Sequence, residues 1–298
     1  MSALSRRGFA RLAGTAALGT PLVGQRKLIT AGEVVERIRH SVGVPWQEKT
    51  LDAIKAGDPQ DPVHGIATTA MATMDVLRRA AREMSNLVIT LEPVFFGRLD
   101  GQPQCAGRGQ GGVRPDDPLF LAKSDFIRKN GLVIFRFTDH WRLRQPDPMA
   151  TGLAQALGWR SYQVKDDPFR YDLPGGSLGA LAETLQKRLK ARAGIRVVGD
   201  PAARVRRLVM LPGLSALAAT IKELPESDVI LAGETREWES VEYAADTVAA
   251  GHQKGFIMLG RVLSEDPGMN VCAEWLKTLV PEAPVRWLPA GDPYWRPA

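Results

Sequence analysis

The chain has 298 residues, long enough for two domains of ordinary size, and 44% of them are hydrophobic, so a sizeable core can be buried. Lys and Arg number 39 against 33 Asp and Glu, and the net charge of +6 is too small and too scattered to indicate a nucleic-acid-binding protein. The two cysteines, Cys105 and Cys272, have no metal-binding spacing, which excludes zinc ribbons, iron–sulfur clusters and disulfide-framework folds.

The N-terminus carries the pattern of a twin-arginine export signal. The pair Arg6-Arg7 is followed by Phe9 and by a short, weakly apolar stretch over residues 12–23. The alternative, a basic helix of the fold itself, is disfavoured because Gly14, Gly19 and Pro21 within the stretch and Gly24 directly after it break helical continuity. We predict a signal peptide over residues 1–28 and an exported protein, periplasmic or extracellular. No other apolar run reaches 18 residues, so we expect no membrane insertion after signal removal.

Hydrophobic periodicity predicts alternating helices and strands after the signal. A capping box formed by Thr30 and Glu33 predicts a helix that ends near His40. A small-residue strand over 65–70, a helix over 73–84 and a strand over 87–90 form a predicted β-α-β unit. The later elements are a helix over 123–130, strands over 132–137, 204–210, 229–232 and 256–259, and helices over 214–223, 237–250 and 267–280. This alternation predicts an α/β protein with helices packed on a sheet.

Residues 97–118 interrupt the alternation and are predicted to form a loop, which contains Cys105. Within it, Gly107, Gly109 and Gly112 match the G-x-G-x-x-G pattern of dinucleotide-binding proteins. We reject the match because no strand precedes it and a Pro- and Asp-rich segment follows where the phosphate-binding helix would begin. The sequence also lacks the P-loop, the G-x-S-x-G elbow and the H-E-x-x-H helix, so the common NTPase and hydrolase signatures are absent.

Charged residues follow four of the predicted strands. Because ligand sites in α/β sheets gather at the carboxyl ends of strands, these residues are the candidates for function. Carboxylates are rare beside buried strands unless they are paired or bind a metal, although each could instead cap the helix that follows. The candidates are Glu92, Asp139, His140, Glu234, Glu237 and Glu265, together with Arg142, Arg236 and Arg261.

Several short motifs recur in a fixed order along the chain. They are Gly65-Ile66-Ala67, Ile89-Thr90-Leu91-Glu92-Pro93, Gly233-Glu234 and Gly260-Arg261-x-x-Ser264-Glu265. In this order they resemble the motifs of the Nif-three-like family, also labelled type 2 GTP cyclohydrolase I, over nearly all of the chain after residue 30. Glu237-Trp238 and the tail over residues 291–295 are similar to the exported branch of that family.

The resemblance implies two similar α/β halves with helices packed on mixed sheets, and a cleft between the halves that holds a pair of divalent metals. It also implies a homo-oligomer, a toroidal hexamer, and metal-dependent hydrolysis as the activity usually inferred for the family. On this basis we predict a first half over residues 29–145, a connecting segment over 146–200 and a second half over 201–298.

Most of the family's metal-ligand positions are substituted in this chain. Leu91 stands where the first motif has its leading His, and Thr138 and Arg142 stand at the ligand positions of the middle motif. Arg261 replaces the His of the last motif, so that of six expected ligands only Glu92 and Glu265 remain as metal candidates. A guanidinium is permanently charged and has no lone pair to give to a metal. The sequence therefore predicts no cofactor and no metal at full occupancy.

Two functions follow from these substitutions. In the first, Arg142 and Arg261 form ion pairs with Glu92 and Glu265 in place of the metals, and the cleft, which also includes Glu234 and Glu237, is non-catalytic or binds a small anionic ligand. The alternative is a hydrolase acting on a small phosphate- or carboxylate-bearing substrate. It would use one residual metal, or no metal, with Asp139 orienting His140 as a general base. Against this alternative, the position of His140 beside a buried strand is also typical of a structural histidine.

Overall fold

A computed structural model describes residues 28–97, 100, 113–114 and 116–297. Residues 1–27 of the predicted signal over 1–28, Cys105 and the glycine pattern over 107–112 lie outside the described residues. The helices are α1 (Ala31–Ser41), α2 (Met74–Arg82), α3 (Pro118–Lys129), α4 (Asp139–Leu143), α5 (Pro148–Leu157), α6 (Leu178–Arg188), α7 (Leu217–Glu223), α8 (Glu242–Ala249) and α9 (Arg261–Leu279). The strands are β1 (Ala53–Ala56), β2 (Ile66–Thr69), β3 (Leu87–Thr90), β4 (Val133–Arg136), β5 (Arg170–Ser177), β6 (Arg196–Val198), β7 (Arg204–Leu214), β8 (Val229–Glu234), β9 (Gly255–Met258) and β10 (Val285–Trp287).

The strands form two mixed sheets of five strands each. The first has the order β1-β4-β3-β2-β10, in which only β1 runs antiparallel to its neighbour. The second has the order β5-β7-β8-β9-β6, with β5 and β6 antiparallel at the two edges. Each sheet therefore has a centre of parallel strands, and the carboxyl ends of those strands lie at one edge of the sheet. The α/β class and the two similar halves predicted from the sequence are confirmed.

Both faces of each sheet are buried. In the first sheet, alternate residues of the central strands pack on one side against α1 and α9 and on the other side against α2 and α3. In the second sheet, one side packs against α5 and α6, and the other against α8. This arrangement explains why β2, β3, β4 and β9 are buried along their whole length, because parallel sheets are covered by helices on both faces. Among the described helices, none is long and apolar enough to cross a membrane.

The capping box predicted at the start of α1 is present. The Thr30 hydroxyl accepts a hydrogen bond from the Glu33 amide at 3.2 Å, and the Glu33 carboxylate accepts one from the Thr30 amide at 2.8 Å. The predicted β-α-β unit is also formed, with β2 and β3 parallel and α2 between them. Thr73 caps α2 through the amide of Val76 at 3.2 Å. Local sequence signals were sufficient for the two helix starts because each cap is a contact between residues three apart.

Two parts of the predicted organisation need correction. The segment over residues 146–200, predicted as a connection, contains α5 and α6 and supplies β5 and β6, which are the edge strands of the second sheet. In addition, the C-terminal strand β10 leaves the second half and pairs with β2 of the first sheet. The two halves are therefore not contiguous in sequence. Their edge strands are short or irregular, and β5 carries a register shift between Asp172 and Gly176, so they lack the apolar runs that identified the central strands.

Helix α9 also differs from its prediction. It begins at Arg261 rather than at residue 267, and Pro267 lies inside it. The helix contacts β2 and β10 of the first sheet and β7 and β8 of the second, so it joins the two halves. It crosses α5 closely at Gly152, where a Cβ atom would come within 2.5 Å of the backbone of Gly268. The first turns of α9 thus lie at the junction of the halves, where the candidate residues meet.

Candidate functional site

The carboxyl ends of strands from both sheets bring four predicted residues together. Glu92 follows β3, and Arg142 lies on α4, which begins three residues after β4 ends. Arg261 is the first residue of α9, which follows β9, and Glu265 lies one turn later on the same helix. The first two belong to one half of the molecule and the last two to the other. We call these four residues the arginine–glutamate cluster.

Each arginine of the cluster bridges both glutamates. Arg142 donates from Nη2 to Glu92 Oε1 at 2.9 Å and from Nη1 to Glu265 Oε1. Arg261 donates from Nη2 to Glu92 Oε1 at 2.7 Å and from Nε to Glu265 Oε2 at 3.1 Å. The result is a closed ring of four ion pairs with no net charge, and it joins the two halves across their junction.

The cluster is partly withdrawn from water. The Glu265 side chain is 1% exposed and that of Glu92 14%, whereas the two arginines are 31% and 29% exposed. Burial acts to lower the pKa of Arg142, but the hydrogen bonds and negative charges of Glu265 and Glu92 outweigh it and hold the pKa above its usual value. The arginine is therefore charged at every accessible pH, and the glutamates have permanent partners.

A glycine makes room for the cluster at the end of β7. Gly213 has φ of +75°, and a Cβ atom there would overlap the Glu265 carboxylate and come within 3.4 Å of Arg142 Nη1. Its amide donates a hydrogen bond of 3.0 Å to the hydroxyl of Ser264, which in turn donates to the carbonyl of Arg261 at 2.8 Å. The backbone of the second sheet thus fits closely around the Glu265 side chain.

The two other substituted positions contribute no charge to the site. Leu91 is fully buried in the core of the first half, where it packs with Phe135, Phe137 and Trp141. Thr138 precedes α4, and its hydroxyl accepts a hydrogen bond of 3.3 Å from Arg142 Nε. Thr138 therefore orients Arg142, whereas Leu91 belongs to the core.

His140 and Asp139 do not form the predicted acid–base pair. The His140 ring is fully buried and stacks on Trp46 with the ring centroids 3.8 Å apart. Its Nδ1 is 2.8 Å from Asp52 Oδ2, and its Nε2 accepts a hydrogen bond from the Gln47 amide at 2.9 Å. Asp139 instead accepts hydrogen bonds from Thr50 and Leu51 at 2.9 and 2.7 Å. The prediction that Asp139 orients His140 is thus corrected: Asp52 holds the ring, and both ring nitrogens are occupied away from the cluster.

The remaining candidates divide between the cavity beside the cluster and the outer surface. Glu234, the last residue of β8, lines the same cavity as Glu92 and Arg261. Glu237 does not reach the cluster, because it forms an ion pair with Arg196 on β6 and both side chains are about two-thirds exposed. Arg236, the residue before the π-helical turn Glu237–Val241, pairs with Glu239 of that turn. The turn after β8 carries these side chains outward.

Among the buried charged residues that were not identified from the sequence, Asp52 and Lys123 bear on the site. Asp52 accepts hydrogen bonds from three successive amides at the start of α4, at 2.6, 2.9 and 2.9 Å, and so fixes the helix that carries Arg142. Its partners lie 86 or more residues away, so no local pattern identifies it. Lys123 is 3% exposed and lines the cavity beside the cluster. It occupies the apolar face of α3, four residues before the buried Ile127, and this spacing was a usable signal.

The cluster does not fit a pair of divalent metals. The space between Glu92 and Glu265 is bridged by two guanidinium groups, which donate hydrogen bonds and have no lone pair for a metal. Over residues 28–97, 100, 113–114 and 116–297, no group of three or more His, Cys, Asp or Glu side chains is placed to hold a metal ion.

Solved structures resemble the chain over most of its length. Staphylococcus aureus protein SA1388 has a TM-score of 0.65 and 14% sequence identity, covering 90% of this chain and 99% of that one. Protein ybgI has a TM-score of 0.63 and 17% identity, covering 89% and 100%. A Bacillus cereus protein related to NIF3 has a TM-score of 0.61 and 12% identity, covering 88% and 96%. The chain has the fold of NIF3-related proteins.

This NIF3-like fold is recognised by structure and not by overall sequence. No family model matches the chain, and no curated protein matches it in a sequence search. At 12–17% identity the likeness establishes the arrangement of two α/β halves and their junction. In this chain the junction of the NIF3-like fold holds the arginine–glutamate cluster.

Proposed function

We propose that the chain is an exported member of the NIF3 family whose cleft contains an arginine–glutamate cluster in place of a metal centre and binds a small anionic ligand. The observation that carries the proposal is the ring of four ion pairs, in which Arg142 and Arg261 each contact both Glu92 and Glu265. These arginines stand at two positions where the resembling family has metal ligands. Two positive charges thus lie where two cations are expected, and the remaining carboxylates keep their partners.

The free donors of the cleft favour an anionic ligand. Arg261 uses Nε and Nη2 within the cluster, and among the described residues its Nη1 has no hydrogen-bond partner. The guanidinium borders a cavity of about 540 Å³, within the usual range for small-molecule sites. Arginine is the side chain best suited to bind carboxylate and phosphate groups, because its donors match their geometry.

The alternative, a hydrolase with His140 as general base, has less support. A general base needs to lie within hydrogen-bond reach of the substrate proton. His140 is buried, and both of its nitrogens are occupied by Asp52 and Gln47. Glu234 also lines the cavity and takes no part in the cluster. A hydrolase would therefore have to use Glu234 as its general base.

Export is supported by the pair Arg6-Arg7 and the short apolar stretch that follows it. The measurement is fractionation of cells that express the chain with and without Arg6→Lys and Arg7→Lys. We expect the substituted chain to remain in the cytoplasmic fraction, and equal export of both chains would contradict the proposal.

Metal analysis of the purified protein tests the replacement of the metal centre. We expect less than about 0.1 equivalent of zinc, iron, manganese or nickel per chain, because the cluster offers no free donor set. Incubation with each metal followed by gel filtration should leave that value unchanged. Near-stoichiometric metal that survives gel filtration would overturn the proposal, whatever the activity of the sample.

A further inference from the structure

The cavity beside the cluster has an amphipathic lining. Its apolar wall is formed by the segment around α2 and by the loop after β3, and its polar side is formed by Glu92, Glu234 and Arg261. Lys123 of α3 completes the lining. Such a cavity suits a small molecule with an apolar body and a charged end. The apolar side chains on the wall are Met71, Ala72, Met74, Pro93, Val94, Phe96 and Leu119.

Lys123 is an unusual member of this lining because it is 3% exposed and has no carboxylate partner among the described residues. Its Nζ donates one hydrogen bond, to the carbonyl of Val94 at 2.5 Å, and lies 4.9 Å from the centroid of the Phe96 ring. A buried ammonium group without an ion-pair partner is costly, so burial shifts the protonation equilibrium of Lys123 toward the neutral amine.

The charges around Lys123 do not restore its pKa to the usual value of a lysine. Burial lowers the pKa of Lys123 to about 8, and the negative charge of Asp100 opposes that effect only in part. The other charged groups that face the cavity among the described residues are Glu92, Glu234 and Arg261, and the first and last of these are paired within the cluster. At neutral pH about a tenth of the lysine is therefore the neutral, nucleophilic amine.

We propose that Lys123 is a nucleophilic amine that forms an imine with a small aldehyde bound in this cavity, with the anionic end of the aldehyde at Arg261. The lysine first gives one proton to solvent. Its nitrogen then forms a bond to the carbonyl carbon while the C=O π bond breaks, and one proton moves from that nitrogen to the oxygen to give a neutral carbinolamine. Loss of that oxygen as water, with a second proton from solvent, leaves the protonated imine. The sum is aldehyde plus lysine ammonium giving imine cation plus water, with no change of oxidation state.

The inference rests on the cavity and on Lys123, and it does not depend on the absence of metal from the cluster. The anionic end is assigned from the free Nη1 of Arg261, which borders the same cavity. Metal analysis tests the replacement of the metal centre, and lysine labelling tests the role of Lys123. Either result can fail without affecting the other.

Labelling of the full chain with pyridoxal 5′-phosphate, an aldehyde with an anionic group, tests the inference. The imine is reduced with borohydride at pH 7.5, and modified lysines are mapped by peptide mass spectrometry. Lys129 is the internal control, because it lies on the same helix with a side chain that is 68% exposed. We expect Lys123 to be modified at least about tenfold faster than Lys129, since the amine with the lower pKa is the more abundant nucleophile. If the exposed Lys129 is modified faster than the buried Lys123, the inference is overturned.

Two further measurements use the same reaction. Lys123→Arg should abolish the fast phase of imine formation, and Lys129→Arg should leave that phase unchanged. If Lys123→Arg fails to fold, the comparison of the two lysine rates in the unaltered chain still tests the inference. Pyridoxal without phosphate forms an internal hemiacetal and reacts more slowly with every amine, so the ratio of the two lysine rates is compared. That ratio, Lys123 over Lys129, should be several-fold lower with pyridoxal than with pyridoxal 5′-phosphate, and an unchanged ratio would remove Arg261 from the proposed site.

Discussion

Glu265→Ala is expected to lower the free energy of unfolding by about 3–5 kcal/mol, because it removes one partner from a largely buried ring of ion pairs. The Glu265 side chain is 1% exposed and accepts hydrogen bonds from both Arg142 and Arg261. Its removal leaves two guanidinium groups to share the single carboxylate of Glu92. The two arginines are 31% and 29% exposed, so water compensates in part and the lower end of the range is expected. Chemical denaturation followed by circular dichroism measures the change.

The matched control lies on the same helix. Glu274 of α9 pairs with Lys277 at 2.7 Å, but their side chains are 61% and 48% exposed. Glu274→Ala should cost less than about 1 kcal/mol, because exposed ion pairs contribute little. Adding Arg142→Leu to Glu265→Ala should recover part of the loss, since one unpaired charge is removed. If Glu265→Ala and Glu274→Ala lower the free energy of unfolding equally, the ring contributes no more to stability than an exposed ion pair.

The parts of the fold that could be predicted are those set by short-range signals. The helix α1 followed from Thr30 and Glu33 and α2 from its cap at Thr73, whereas β2 and β3 followed from short runs of small and apolar residues that are buried on both faces of the sheet. The edge strands β5, β6 and β10 could not be predicted, because they are short or irregular and lack the apolar runs of the central strands. Strand β10 in addition pairs with β2, more than 200 residues earlier.

The candidate site was predicted unevenly for similar reasons. Glu92, Arg142, Arg261 and Glu265 could be named because each follows a strand whose carboxyl end faces the junction. The partners of His140 could not be named, since Asp52 reaches it from before β1 across a separation of 88 residues. Lys123 was overlooked because lysines on helices are usually solvated, although its spacing from Ile127 places it on the apolar face of α3. The cavity beside it is evident only in the structure.

Arg142→Asp combined with Arg261→His is expected to create a divalent-metal site in the cleft. These are residue types that the resembling family has at the two positions, and together with Glu92 and Glu265 they would supply three carboxylates and one imidazole. The guanidinium groups that now bridge Glu92 and Glu265 would be gone, and the remaining negative charge would favour a cation. We expect about one zinc or manganese ion per chain by metal analysis, against the near-zero content expected of the unaltered protein.

The decisive comparison is with Arg142→Leu combined with Arg261→Leu, which removes the same two positive charges but adds no metal donor. Without metal, both double variants should be less stable than the unaltered chain, because Glu92 and Glu265 lose their partners. Metal at about 100 times its dissociation constant should return about 2.7 kcal/mol to the Asp and His variant, because it binds only the folded state. The leucine variant, left with two carboxylates, should gain much less at the same metal concentration. Equal stabilisation of the two variants would mean that Arg142 and Arg261 do not occupy metal-ligand positions, and the cluster would then have to be explained without reference to a metal centre.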